Sequence, residues 1–114
     1  MSFQPAISKE ALNKISREVR SWRLHQRIGS TFAQLAKAIN PIVDGWMRYY
    51  GAFYRTALHP LLERINSYLM RWIRKKYRRL RTFKKALRAY QSAVRAYPAM
   101  FRHWRWTPHT WRTG

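Results

Sequence analysis

Ten basic residues fall within eighteen positions: Arg71, Arg74, Lys75, Lys76, Arg78, Arg79, Arg81, Lys84, Lys85 and Arg88. Guanidinium and ammonium groups at that density neutralise phosphates and release their counterions, which gives affinity for a polyanion without reading any base. Left uncompensated, such a run repels itself and destabilises the fold. A bound polyanion would relieve it. Arg64, Arg71, Lys75 and Arg78 also recur at helical spacing, as one basic stripe. Aromatic residues interleave with the cations at Arg48-Tyr49-Tyr50, Tyr54-Arg55, Lys76-Tyr77-Arg78 and residues 102–106. An aromatic face can stack on an unpaired base, at roughly 1–3 kcal/mol by truncation. Trp46, Tyr50, Phe53, Trp72 and Tyr90 follow the helical apolar pattern and are expected in the core. Tyr49, Tyr77, Trp104 and Trp106 are the expected stacking residues.

The same composition argues against catalysis. Of 114 residues only four are acidic, and the net charge is +20. Glu10, Glu18, Asp44 and Glu63 all lie in the first 63 positions, beside nine basic residues; the remainder holds fifteen basic residues and no acid. Two-metal phosphoryl transfer needs clustered carboxylates, and these are scattered. Asp44 is expected within the first turn of a helix, where a negative charge suits the dipole. His25, His59, His103 and His109 have no metal-ligand spacing, and the absence of Cys excludes disulfides and thiolate sites. No glycine-rich phosphate loop or GxSxG element is present. The expectation is a chain with no catalytic residues and no metal or cofactor of its own.

These residues must be positioned by helices. A chain of this length is one small domain, and 46% hydrophobic with 16% aromatic residues argues against disorder. Ser8 can cap a first helix to about His25, with Leu12, Ile15, Val19 and Trp22 on one stripe and Lys14, Arg17, Arg20 and Arg23 off it. Thr31 and Gln34 have capping-box spacing and open a short second helix carrying Phe32, Leu35, Ala36 and Ile39. Asn40-Pro41 predicts a restart and a third helix to about Leu58, interrupted by Gly45 and Gly51, where close packing or close ligand approach is expected. His59-Pro60 predicts another restart, with a fourth helix from Leu62 to Leu80. Thr82 can cap a fifth, with Phe83, Leu87, Tyr90, Val94 and Tyr97, ending at Pro98. The tail reads as irregular or one short turn. The fold class is all-α: a compact single-domain bundle of four or five helices with short loops and an aromatic C-terminal tail. Residues 1–7 and 107–114 are expected to be loose. No apolar run reaches the length of a membrane span, and the start lacks a leader pattern, so the expected location is the cytoplasm.

Residues 39–54, INPIVDGWMRYYGAFY, carry a more specific signal. They resemble the maturase-specific region, domain X, at the C-terminal end of bacterial group II intron-encoded reverse transcriptases. The matching positions are Asn40, Pro41, Gly45, Trp46, Tyr49, Tyr50, Gly51 and Phe53. Residues 21–41 are similar to the preceding part of the thumb, LMRWIRKKYRRL to the helix that follows, and YPAMFRHW to the closing segment, so the resemblance covers about residues 10–106. It implies a thumb-like helical domain that binds folded group II intron RNA and promotes its splicing. Target DNA is a further partner of the family, as are upstream reverse transcriptase domains if this chain is a fragment. The catalytic RNA brings Mg²⁺, and a full-length parent would use Mg²⁺ in its polymerase; the palm's Asp-Asp pair and the Cys- and His-containing endonuclease are not found here. Under this reading Arg48, Tyr49 and Arg55 join the basic run in contacting RNA. Asn40, Pro41, Gly45, Trp46, Tyr50, Gly51 and Phe53 mainly shape the packing.

Two other classes stay open from composition alone. One is a general DNA- or nucleic-acid-binding basic domain. The other is a membrane-active protein, since basic amphipathic helices with Trp bind anionic lipid surfaces.

Overall fold

Hydroxyl side chains begin all three helices, each through a contact only three residues long. Ser8 Oγ accepts from the Ala11 amide at 3.0 Å and opens α1 (Lys9–Ser21). Thr31 and Gln34 cap each other's amides at 2.9 and 3.1 Å and open α2 (Phe32–Lys76). Thr82 Oγ1 accepts from the Lys85 amide at 3.3 Å and opens α3 (Phe83–Ala96). The computed structural model describes residues 8–107, with the side chains of residues 52 and 53 outside that description. Among the described residues the only other regular elements are short 3₁₀ turns at Leu24–Gln26, Arg78–Leu80 and Arg102–Arg105. The class is all-α, as the periodicity predicts.

The middle of the chain departs from the expected division. Neither Asn40-Pro41 nor His59-Pro60 restarts it. Both prolines lie inside α2, which runs for 45 residues. An interior proline loses one hydrogen bond and presses on the carbonyl four residues back. Here that cost is offset by burial on either side, at Ile39 and Val43 and at Leu58, Leu61 and Leu62. The helix instead bends at Tyr54, whose φ −124° and ψ 24° leave the helical region, six residues ahead of Pro60. α2 is therefore two limbs, and with α1 and α3 the bundle has four helical limbs. Asn40 is no cap: its Nδ2 donates to the Met100 carbonyl at 2.8 Å and its Oδ1 accepts from the Arg102 amide at 3.0 Å. Asp44 is mid-helix rather than in a first turn, and reaches Arg48 at 3.7 Å.

The first helix ends at Ser21, short of His25, because Arg23 adopts a left-handed backbone (φ 48°, ψ 49°). That conformation costs a non-glycine residue about 1–2 kcal/mol. Its neighbours hold it. Leu24 is fully buried, and Trp22 stacks on Trp46 at 5.5 Å while its indole donates to the Glu18 carboxylate at 3.0 Å. α2 likewise stops at Lys76 rather than Leu80, where Tyr77 turns extended. On α3, Leu87, Tyr90 and Val94 are buried, but Phe83 and Tyr97, the end positions of the expected stripe, are exposed.

The tail makes one 3₁₀ turn and closes the core. Phe101, His103 and Trp104 are buried, which removes Trp104 from the expected stacking residues. Thr107, expected to be loose, is buried as well, and residues 108–114 and 1–7 lie outside the described residues. A polar network explains the tail's position. Asn66 on α2 is wholly buried, and its Oδ1 accepts from the Tyr90 hydroxyl at 2.5 Å and from His103 Nε2 at 2.6 Å. Its Nδ2 donates to the Thr107 carbonyl at 3.0 Å, and Trp104 Nε1 donates to the Tyr90 oxygen at 2.7 Å. Since a carboxamide oxygen only accepts, His103 carries its proton on Nε2. Burial holds the His103 pKa down to about 3 and pushes the Tyr90 hydroxyl up. The network joins α2, α3 and the tail.

Candidate nucleic-acid interface

The C-terminal limb of α2 and the turn after it bring five cations of the basic run onto one concave surface. Arg71, Arg74, Lys75, Arg78 and Arg81 surround a concavity of about 580 Å³, with His25 in its wall. Arg74 Nε donates to the Arg81 carbonyl at 2.8 Å, which folds the turn back over the helix end. A second concavity of about 340 Å³ adjoins it, lined by Arg17, Arg20, Ser21, Arg23, His25 and Tyr68. His25 belongs to both, and its ring stacks on Tyr68 at 5.2 Å. No carboxylate lines either one. The pKa of His25 is lowered, first by burial and then by the charges of Arg71, Lys75 and Arg23. Its Nδ1 is buried without a hydrogen-bond partner.

The remaining residues of the run divide. Arg79, Lys84, Lys85 and Arg88 are exposed. Lys85 and Arg88 line a separate shallow depression with Leu80, Ala89 and Ser92. Lys76 turns inward: its Nζ donates to the Ser30 carbonyl at 2.6 Å and lies 4.9 Å over the Trp72 ring. It braces the loop before α2 instead of facing solvent. Trp72 is fixed from several sides, donating to the Arg27 carbonyl at 2.7 Å and stacking on Phe32 at 5.1 Å. Arg64, in the expected stripe, ties the two helices together by donating to Ser16 Oγ at 2.6 Å.

Arg48, Tyr49 and Arg55 line neither concavity. Arg48 is exposed beside Asp44, and Tyr49 is 78% exposed, edge-on to Tyr50. The Arg55 guanidinium lies 4.5 Å over the ring of Trp106. Trp106 is accordingly half-buried and packed, not an open stacking face; Tyr77 is 42% exposed. Of the motif residues, Asn40 anchors the tail, Trp46 stacks on Trp22, and Tyr50 is half-buried between Tyr49 and Tyr54. Gly51 is approached by Trp106, whereas nothing lies within 4 Å of a Cβ placed on Gly45. Pro41 is exposed within α2, and the Phe53 side chain lies outside the described residues.

Sequence reasoning set Arg17, Arg20 and Arg23 off the apolar stripe but did not join them to the basic run, and it missed His25 and Tyr68. The three-residue spacing of the arginines was a usable signal. The left-handed turn at Arg23 was not, because nothing local marks a non-glycine residue for that conformation. Among the described residues, no group of His, Asp or Glu could hold a metal ion, and no helix is long and apolar enough to cross a membrane.

Residues 12–91 match the family model described as group II intron, maturase-specific domain. No curated protein and no solved structure matches the chain significantly.

Proposed function

The chain belongs to the family of group II intron maturase-specific domains, and from that premise we propose that it binds folded group II intron RNA and stabilises the splicing-competent form. The observation that carries this reading is the convergence of Arg71, Arg74, Lys75, Arg78 and Arg81 on one concave surface without a carboxylate. Such a surface neutralises phosphates and gains entropy from released counterions. Helix and turn backbone set where these side chains start, and the counterion gain must exceed the rotamer freedom that the exposed Arg and Lys side chains give up on binding. The RNA supplies the catalytic chemistry and its own Mg²⁺; no residue of this chain is assigned a catalytic or metal-binding role. Upstream reverse transcriptase domains are the second partner in this reading, and the bacterial cytoplasm is the location.

The test is a binding titration at several salt concentrations against the intron RNA, an unrelated RNA of equal length and duplex DNA. Preference for the intron RNA that persists as salt rises is the expected result. Equal binding to all three, lost together with salt, would overturn recognition by this chain and leave only charge. Stronger binding to duplex DNA would favour the DNA-binding alternative.

A further inference from the structure

General phosphate binding does not use two features of this surface: its concave shape and the histidine in its wall. A straight strand spaces its charges evenly along its length, and a duplex is far too broad to enter a bowl of about 580 Å³. Five cations around one bowl suit a denser anion, in which several phosphates converge. Across His25, α1 adds Arg17 and Arg20, and the left-handed turn adds Arg23. Among the described residues the only ion pair is Asp44–Arg48, so none of these cations is matched by a carboxylate.

We propose that this bowl is a site for clustered phosphates, formed where an RNA strand turns back on itself, and that His25 is one of their ligands. The proposal rests on the RNA-binding reading and adds the shape of RNA preferred. His25 is held in place by Tyr68, its Nδ1 is enclosed without a hydrogen-bond partner, and its ring forms part of the wall of both concavities, so a phosphate would meet the ring from the side that faces them. In the free protein burial, and then the charges of Arg71, Lys75 and Arg23, disfavour the protonated imidazole. Clustered phosphates would reverse the local field, and the imidazole would then take up a proton and become a cationic donor. The groups that face it are cations from α1, from the turn and from α2, with the Tyr68 ring; no acid opposes the change.

The experiment uses the whole chain and two RNAs of equal length, one a continuous duplex and one interrupted by a bulge, with inorganic tripolyphosphate as competitor. At matched salt the bulged RNA should bind about tenfold tighter, and Arg71→Gln with Lys75→Gln should remove most of that preference. Both side chains are exposed, and circular dichroism checks that the fold is kept. Lys84→Gln with Lys85→Gln, outside the bowl, should weaken both RNAs alike. Lowering the pH from about 7.5 to about 6 should tighten the bulged RNA, and His25→Gln should abolish that gain. Equal affinity for the two RNAs, or a preference that survives loss of Arg71 and Lys75, would overturn the site while leaving RNA binding intact. Absence of RNA binding altogether would overturn the functional reading with it. Tripolyphosphate binding more tightly than bulged RNA would assign the bowl to a free polyphosphate and overturn the RNA source.

Discussion

The ring of Trp106 lies 2.9 Å from the point where a Cβ on Gly51 would stand, so the tail seats on a helix surface that only glycine leaves open. Gly45, six residues earlier on α2, has no such neighbour. Ala at Gly45 should stabilise the domain by about 0.5–1 kcal/mol through helix propensity alone. Ala at Gly51 displaces a ring already held by Arg55, and should lose about 1–3 kcal/mol to overpacking. Urea unfolding of the two variants checks this; equal stability would show that the tail shifts without cost.

Asn66 holds the tail and α3 together through one oxygen. Asn66→Leu leaves the Tyr90 hydroxyl and His103 Nε2 without their acceptor, and should destabilise by about 2–4 kcal/mol. Tyr90→Phe removes the acceptor of the Trp104 indole and should lose about 1–2 kcal/mol. A double-mutant cycle should give a total well short of the two single losses, because both act on the same network.

Stability should fall with acid. His103 has a folded-state pKa of about 3 against an ordinary 6.5, and His25 is lowered in the same direction. Between those values the unfolded chain binds a proton at His103 that the native state does not. The contribution is therefore full above about pH 6.5 and is lost as pH falls, at up to about 1.4 kcal/mol per pH unit. Urea midpoints from pH 7 to pH 5 measure the slope. His103→Gln should be less stable at neutral pH but show a shallower decline.

Neighbouring lysines should behave oppositely. Lys75 lines the bowl, while Lys76 is committed to Ser30 and Trp72. Lys75→Ala should leave stability unchanged, weaken RNA binding and reduce the salt slope by about one. Lys76→Ala should lower stability by about 1–2 kcal/mol, from the lost hydrogen bond and cation–π contact, with the salt slope nearly unchanged. A salt-slope change at Lys76 as large as at Lys75 would contradict this division.

Short-range features were legible because their causes are local. Ser8, Thr31 and Thr82 cap as expected, since a cap reads only the next three residues. The all-α class followed from apolar spacing along each stretch. The acid-free C-terminal half follows from composition and does not depend on folding. Where the chain continues or stops was less readable. Pro41 and Pro60 looked like breaks, yet burial on both sides of each carries α2 through them.

What only the tertiary structure decided is which polar groups are free and which are spent. Asn40 had the form of a cap but holds a carbonyl 60 positions away. Lys76 had the form of a phosphate ligand but binds a carbonyl 46 positions away. Trp104 had the form of a stacking face but fills the core. His25 gained its place only when the end of α1 met the far limb of α2 and two sets of cations closed around it. The charge was written in the residues themselves; its concentration into one bowl required the fold, because a cation's availability depends on partners that chain distance does not reveal.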